Sequence, residues 1–257
     1  MKKENKTLYI LKKLLPVFAI LFVIVAWILF STQGNQLFPS PKEVYYRLIM
    51  TFTKPIGNAN LFGHIWASLK RVMYALVIAW TLGIIFGVLI GWNKYFKAVF
   101  GSILEIFRPI PPIAWIPIII MWSGIGEVSK VILVFLGTFF PILINTAAGI
   151  SLVDKINIDV GKAFGGNNWQ ILKGIIIPTA LPSIFAGIRT SVSSGWTVVL
   201  AAEMMGAQQG LGALVMKGWA ITDMALVLVA VITIAIIGAI LAFIINRAER
   251  LVTPWNK

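Results

Sequence analysis

The chain has 257 residues, of which 59% are hydrophobic and only 12% are charged. A soluble domain of this length exposes far more charge, so the composition excludes a soluble globular protein and indicates an integral membrane protein. The formal net charge is +13 and there is no cysteine, which excludes disulfides, thiolate metal sites and cysteine nucleophiles.

Six apolar segments are long enough to be membrane-spanning helices, because about 20 apolar residues cross the hydrocarbon core of a bilayer. Lysines precede the first segment as they do in a secretory signal, but no small-residue cleavage site follows, so we interpret it as a retained span. We therefore expect residues 1–257 to form a single all-α transmembrane domain. The predicted spans are residues 14–30, 72–92, 98–121, 128–150, 182–205 and 224–245.

The positions of the positive charges predict the orientation. If the N-terminus is cytoplasmic, more lysines and arginines fall in the cytoplasmic segments than in the outer ones, as the positive-inside rule requires. Both termini are then cytoplasmic. This distribution accounts for the basic charge through the membrane surface and argues against a nucleic-acid partner.

The segment between the first two predicted spans contains a helix start. Ser40 is expected to cap this helix and Pro41 to occupy its first turn. Val44, Leu48 and Ile49 then form one apolar stripe, so we expect the helix to lie along the membrane surface.

The third predicted span contains residues that oppose a regular helix. Proline lacks a backbone donor and clashes with the preceding turn, so this helix must be kinked or broken. In lipid, broken backbone is tolerated only against neighbouring helices or a wet cavity. We expect the segment to be buried near a pathway, with a proline kink that has no transport role as the alternative. The residues are Glu105, Arg108, Pro109, Pro111, Pro112 and Pro117.

A polar insert, residues 151–181, separates the fourth and fifth predicted spans. It is expected to contain one short helix over 156–164 and a sharp turn at Gly165-Gly166 with positive φ. Asn167 or Asn168 then caps a second helix that runs through Lys173.

On this second helix, Trp169, Leu172 and Ile176 share a face at helical spacing. The insert is too structured for a spacer and too short for a domain. We interpret it as a docking element through which a soluble partner moves the membrane protein. An amphipathic helix resting on lipid headgroups is the alternative.

Ionisable residues at membrane depth are candidate functional groups. Glu203 is either a pathway residue or a structural partner for groups near the outer leaflet. Arg189 is expected to brace the insert by pairing with Asp159 or Glu105, and the alternative is that it lines an anion path. A lone histidine, His64, makes neither a metal site nor a catalytic triad, so we expect it to form interfacial hydrogen bonds.

The fifth predicted span also carries a run of small residues, within 191–195, that favours close packing against another helix or the axis of a dimer. Trp115 and Trp196 lie deep in their spans and are interpreted as core residues, with substrate contact as the alternative. Glu105 and Arg108 are spaced to pair on one helix face.

Three stretches of the sequence resemble permease subunits of binding-protein-dependent ABC importers, most closely the branch that handles sulfonates, taurine and nitrate. Together they cover most of the chain from Val72 onward, in order. They are 108–117 with its continuation to Thr146, 159–165 followed by 177–182 and 187–189, and 201–206 followed by 210–212.

The second stretch is similar to the coupling loop of that family, the EAA loop, whose pattern is Glu-Ala-Ala, three residues, then Gly. Asp159, Val160 and Gly161 stand at the Glu-Ala-Ala positions and Gly165 at the glycine. Because the acid is shortened and both alanines are replaced, the resemblance does not predict how strongly this loop docks on a partner. The coupling residues that the resemblance implies are Asp159, Val160, Gly161, Lys162, Ala163, Gly165, Trp169, Pro178 and Pro182.

The resemblance implies a type I ABC importer permease with six transmembrane helices and a cytoplasmic coupling-helix loop, in a bacterial inner membrane. It also implies a homodimer in contact with membrane lipid, two cytoplasmic ATPase subunits and an extracytoplasmic solute-binding protein. The sequence has no phosphate-binding Gly-Lys-Ser/Thr loop, so ATP and Mg are expected in the partner ATPase and no cofactor or metal in this chain.

We therefore predict a non-catalytic permease that moves a small solute inward by alternating access. The implied cargo is a small anion of the sulfonate, taurine or nitrate kind, with sulfonates first, then nitrate or bicarbonate, and then a thiamine precursor or aromatic acid. One alternative is a channel or secondary transporter without an ATPase. A membrane enzyme is less well supported, because the sequence supplies few polar groups that could form an active site. Candidate pathway or bundle-core residues are Arg108, Pro111, Pro112, Trp115, Arg189, Ser194, Trp196 and Glu203.

Overall fold

A computed structural model describes residues 6–31 and 38–254, and every regular element in these ranges is helical, as the sequence predicts. Between α4 and α5, Pro112–Trp115 forms a short 3-10 turn, and between α8 and α9, Leu172–Ile176 forms a π-helical turn. The helices are α1 Lys6–Ser31, α2 Pro41–Thr53, α3 Leu61–Trp92, α4 Lys94–Phe107, α5 Ile116–Ser123, α6 Glu127–Ser151, α7 Lys155–Ala163, α8 Asn168–Ile171, α9 Ile177–Met204, α10 Leu211–Ala220 and α11 Met224–Val252.

Within the described residues, four helical segments are long and apolar enough to cross a membrane: Leu61–Trp92, Glu127–Ser151, Asn168–Met204 and Met224–Val252. A fifth span results if α4 and the 112–123 segment, which are bent by 86° relative to each other, count as one broken span. The first predicted span falls within α1. The count of six therefore remains a prediction.

Helices α3, α6 and α9 form the centre of the bundle. Gly83, Gly87 and Gly91 lie one turn apart on α3, and a Cβ at any of them would meet α6 atoms at less than 3 Å. These glycines let the two backbones approach closely, as small residues do in membrane helices. The contacts run in the same order along both helices, so α3 and α6 are parallel and both lead to the insert, while α9 runs back. We call the two ends of the bundle the insert end and the opposite end.

Helix α3 is longer than predicted, since it starts at Leu61 and not at residue 72. Asn60 caps it by accepting a hydrogen bond from the Gly63 N–H. This part of the helix contains polar residues, so a search for apolar segments did not include it. Three of them, His64, Ser68 and Arg71, share its buried face.

The prediction that the third span is broken is confirmed. Helix α4 ends at Phe107, and the chain then passes through Pro109, Pro111 and Pro112. These residues have no N–H to continue a helical ladder. Helix α5 ends before Gly124, whose φ of +73° is a conformation that glycine adopts without steric cost.

Helix α2 starts as predicted. Ser40 caps it and forms a capping box with Glu43. Val44 is buried and Leu48 half-buried, whereas Ile49 is exposed and does not join them on the inward face. The inward face instead continues at Thr51, one helical turn beyond Leu48, and is fixed to α11 by an Arg47–Asp223 ion pair of 2.7 Å. The position of α2 relative to the membrane surface stays a prediction.

Candidate coupling surface and translocation groove

The insert between α6 and α9 is a helical hairpin with capped ends. Asp154 caps α7 by accepting from the Ile156 N–H, and Asn167 forms a capping box with Gln170 at the start of α8. The turn between them has the predicted positive φ at Gly165, +80°. The N–H groups of Gly165 and Gly166 donate to the carbonyls of Lys162 and Gly161, which is the Schellman pattern of a helix C-terminus.

The second helix of the insert differs from its prediction. Helix α8 does not end near Lys173 but continues through the π-helical turn into α9, with Pro178 in the first turn of α9 and Pro182 inside it. Pro178 and Pro182 therefore lie within a helix and do not mark the end of a loop.

The predicted shared face of the second helix is also wrong. Leu172 and Ile176 are buried, but Trp169 is 68% exposed. Trp169 lies in the first turn of α8, before the residues that pack into the core. The third buried residue beside Leu172 and Ile176 is Ile171.

Helix α7 has no buried residue, and it rests on the bundle through its glycine. A Cβ at Gly161 would lie 2.6 Å from the Ile175 Cδ1 atom, so the glycine allows close contact between α7 and the π-helical turn. The EAA-like residues Asp159, Lys162 and Ala163 are exposed to solvent.

The outward face of α7 is apolar. Ile156, Val160 and Phe164 follow one another at spacings of four residues, and Phe164 is 88% exposed. Together with Trp169 they form what we call the insert face. Sequence reasoning named Val160 and Trp169 but missed Ile156 and Phe164, although the spacing of four was visible as the signal.

At the opposite end, a buried ion cluster joins α3, α6 and α9. Arg71 donates to Glu203 at 2.5 Å and, through two nitrogens, to Glu127 at 2.6 and 2.8 Å. Glu203 is fully buried, whereas the Glu127 side chain is 66% exposed. The second oxygen of Glu203 accepts from Ser68 at 2.8 Å and from the Gly212 N–H at 3.0 Å. Glu203 is therefore fully hydrogen-bonded inside the bundle.

The same cluster fixes the chain between α9 and α10. Arg71 also donates to the Gln209 carbonyl at 2.8 Å, and Leu211 N–H donates to Ser68 Oγ at 2.9 Å. His64 has two backbone partners, Ile56 and Gly210, so its predicted hydrogen bonding is confirmed. His64 Nε2 lies 3.1 Å from the Ile56 carbonyl, and Nδ1 lies 3.0 Å from the Gly210 carbonyl and 3.1 Å from the Gly210 nitrogen. Sequence reasoning missed Arg71 because the predicted span began at residue 72, directly after it.

A groove of about 650 Å³ lies beside the broken span, between it and the helices α6 and α9. Four of the eight candidate pathway residues line it: Arg108, Pro111, Pro112 and Ser194. The structure adds Ser193, which the sequence named only in its run of small residues, and also Asn145, Thr190 and Thr197.

The other four candidates lie elsewhere. Trp115 stacks on Phe107 in a smaller cavity of about 260 Å³. Trp196 is buried in the core and donates to the Ile234 carbonyl at 3.2 Å. Glu203 belongs to the ion cluster, and Arg189 does not line the groove.

The predicted pairing of Arg189 is wrong. Its guanidinium pairs with Glu249 of α11, and not with Asp159 or Glu105. The two helices therefore hold each other directly, and the insert is braced by its own packing. Nor do Glu105 and Arg108 form an ion pair, although both belong to the described residues, because α4 ends between them at Phe107.

The comparison with family models decides what this architecture is. Residues 79–257, which include the broken span, the insert and α9, match the family described as binding-protein-dependent transport system inner membrane component. The chain belongs to this family. It is thus an ABC importer permease, a non-catalytic multi-pass subunit of an inner membrane, whose family works with ATPase and solute-binding partners.

Individual relatives agree with this assignment. The permease is 35% identical to the taurine transport system permease protein TauC of Escherichia coli, over 85% of this chain and 80% of TauC. It is 32% identical to the nitrate import permease protein NrtB of Synechocystis, over 98% and 94% of the two chains. It is 32% identical to the putative aliphatic sulfonates transport permease protein SsuC of Bacillus subtilis, over 81% and 76%.

A solved structure shows the same fold. A chain of the MetNI methionine ABC transporter in an inward-facing conformation superposes with a TM-score of 0.64 at 22% identity, covering 75% of this chain and 96% of that chain. The type I importer fold expected from the sequence is thereby confirmed.

Proposed function

We propose that two copies of this permease form a homodimer that two cytoplasmic ATPase subunits drive through the insert, one insert per ATPase. ATP and Mg belong to the ATPase, and an extracytoplasmic solute-binding protein delivers the cargo. Both termini of the permease are then cytoplasmic, on the same side as the insert.

The insert face carries this proposal. A helix with no buried residue that presents Ile156, Val160 and Phe164 outward is unpartnered in the single chain. Exposed apolar patches of this kind mark protein or membrane contacts. Its rigid anchoring, through Gly161 and the glycine turn, suits an element that transmits force. Its place between two spans lets rigid-body motion of the insert move α6 and α9.

The proposed cargo is a small oxyanion of the sulfonate, taurine or nitrate kind. Relatives named for those substrates align with most of this chain, and Arg108 presents a cation to the groove beside the broken span. Alternating access would expose this groove to one side and then to the other.

The experiment is co-purification of the partner ATPase with the permease after Phe164→Glu. A carboxylate on the insert face must be desolvated in an apolar contact, so we expect recovery of the ATPase to fall at least about tenfold. The matched control is Leu251→Glu, which adds the same charge at a residue of α11 that is also well exposed, 72%. Equal ATPase recovery from both variants would refute docking through the insert face.

A further inference from the structure

One face of α9 presents hydroxyl groups to the groove. Thr190, Ser193, Ser194 and Thr197 recur at spacings of three and four residues, so they form a single stripe, and all four line the groove together with Arg108. The stripe lies inside the 168–204 helical segment, and its last member, Thr197, precedes the end of the segment by about two turns.

Part of this lining has free hydrogen-bond donors. Thr190 and Thr197 donate to carbonyls of their own helix, at 2.9 and 3.1 Å. The hydroxyls of Ser193 and Ser194 and the guanidinium of Arg108 have no hydrogen-bond or ion-pair partner within residues 6–31 and 38–254. Among the described residues, no aspartate or glutamate lines the groove. The lining thus offers donors and one positive charge without a competing carboxylate.

Contact with lipid is unfavourable for this polar surface. Polar side chains and interrupted backbone in a spanning segment are found where they line a water-filled cavity or are buried in protein. Both features meet here, because the chain break after Phe107 forms one wall of the groove and the hydroxyl stripe forms the other. The larger cavity at the opposite end, about 1180 Å³, differs because the Glu127 carboxylate lines it.

We propose that this groove is a weak oxyanion site at which the permease itself selects cargo by charge, with Arg108 supplying the positive charge and Ser193 and Ser194 the hydrogen bonds. The inference rests on the transport function proposed above and adds a location and a selectivity to it. A sulfonate or nitrate, with several acceptor oxygens and no donor on the anionic group, matches such a lining.

The absence of native cysteine allows a direct test. Ser194→Cys is introduced into the otherwise cysteine-free permease, co-expressed with its ATPase, and membranes permeable from both sides are treated with two methanethiosulfonate reagents. One reagent carries an ethylsulfonate and the other a trimethylammonium group. Each rate is divided by the rate of that reagent with a small thiol in solution.

The cysteine is expected to prefer the sulfonate reagent by about tenfold, as one nearby charge in a partly desolvated groove should produce. Arg108→Gln in the same background is expected to remove the preference, and Arg108→Lys to keep it. The matched control is Ile236→Cys, an exposed position on α11 outside the groove. It should react slowly with both reagents, because an exposed apolar position on a spanning helix is expected to face lipid.

Three results would overturn the proposal: equal normalised rates for the two reagents, an unchanged preference after Arg108→Gln, or a Ser194→Cys rate no faster than that of Ile236→Cys. A disulfide between two Ser194→Cys copies with loss of reactivity would also overturn it, since the stripe would then be a closed dimer contact. Charge preference in the Phe164→Glu background, where ATPase is lost, separates this proposal from failure of the docking proposal.

Discussion

At the scale of single residues, the arrangement around Arg71 explains why a carboxylate can lie fully buried in an apolar bundle. A buried charge is tolerated when it is paired and its remaining hydrogen-bonding capacity is used. Glu203 meets both conditions, through Arg71 on one oxygen and through Ser68 and the Gly212 N–H on the other. Gly210 is required beside it, because a Cβ there would lie 2.3 Å from the Glu203 carboxyl carbon.

This arrangement predicts unequal effects for its two carboxylates. Glu203→Gln leaves Arg71 buried with one charge partner fewer, so we expect a loss of about 3 kcal/mol in unfolding free energy. Glu127→Gln removes a partner that is mostly exposed, and the expected loss is below about 1 kcal/mol. Denaturant unfolding of the purified permease in detergent measures both. A larger loss for Glu127→Gln would contradict the assignment of Glu203 as the buried anchor.

At the scale of elements, the glycine turn of the insert fixes the direction of Phe164. Gly165 has φ +80° and no atom within 4 Å of an added Cβ, so substitution there acts through backbone strain alone. Gly165→Ala is expected to strain the turn by about 1 kcal/mol. If the strained turn no longer presents Phe164, ATPase binding should weaken by about fivefold.

Two variants serve as controls for the turn. Gly165→Asn is expected to restore binding, because asparagine tolerates this conformation better than other non-glycine residues. Gly174→Ala, at a glycine of the insert that has open space and no positive φ, should change nothing. Titration of the ATPase against the permease in nanodiscs measures the affinities. Weak binding in Gly174→Ala, or none of the expected loss in Gly165→Ala, would show that the turn does not set the contact.

Most elements could be predicted from local sequence signals. The cap at Ser40, the break at the prolines after Arg108 and the turn at Gly165 each depend on a residue whose backbone restriction acts locally. The start of α3 could not be predicted from an apolar window, because His64, Ser68 and Arg71 are polar and become buried only through partners on other helices.

The candidate sites likewise contain parts that could be predicted from local sequence and parts that could not. The prolines after Arg108 indicated one side of the groove from the sequence. The hydroxyl stripe on α9 could be assigned to the groove only once the position of the broken span was known. The partners of Arg189 and Arg71 were not predictable, because Glu249, Glu127 and Glu203 are distant in sequence. Pairing across helices depends on which faces meet, and no local pattern encodes that.

At the scale of the whole molecule, the insert and the groove lie on the same two helices. Helix α6 leads into the insert and α9 leaves it, and both contribute walls of the groove. A displacement of the insert by a partner therefore reaches the groove without an intervening flexible linker. The Arg71 cluster ties α3, α6 and α9 together at the opposite end.

The homodimeric importer proposed above predicts how the assembled transporter behaves. Native mass spectrometry of the permease purified with its ATPase should give two copies of each subunit. ATP turnover by that complex should rise when the solute-binding protein is added with cargo, since the loaded protein favours the state in which the ATPases close. Phe164→Glu is the control, because it should yield permease without ATPase. A complex with one permease, or turnover indifferent to the loaded binding protein, would contradict the homodimeric importer and favour a transporter that works without this coupling.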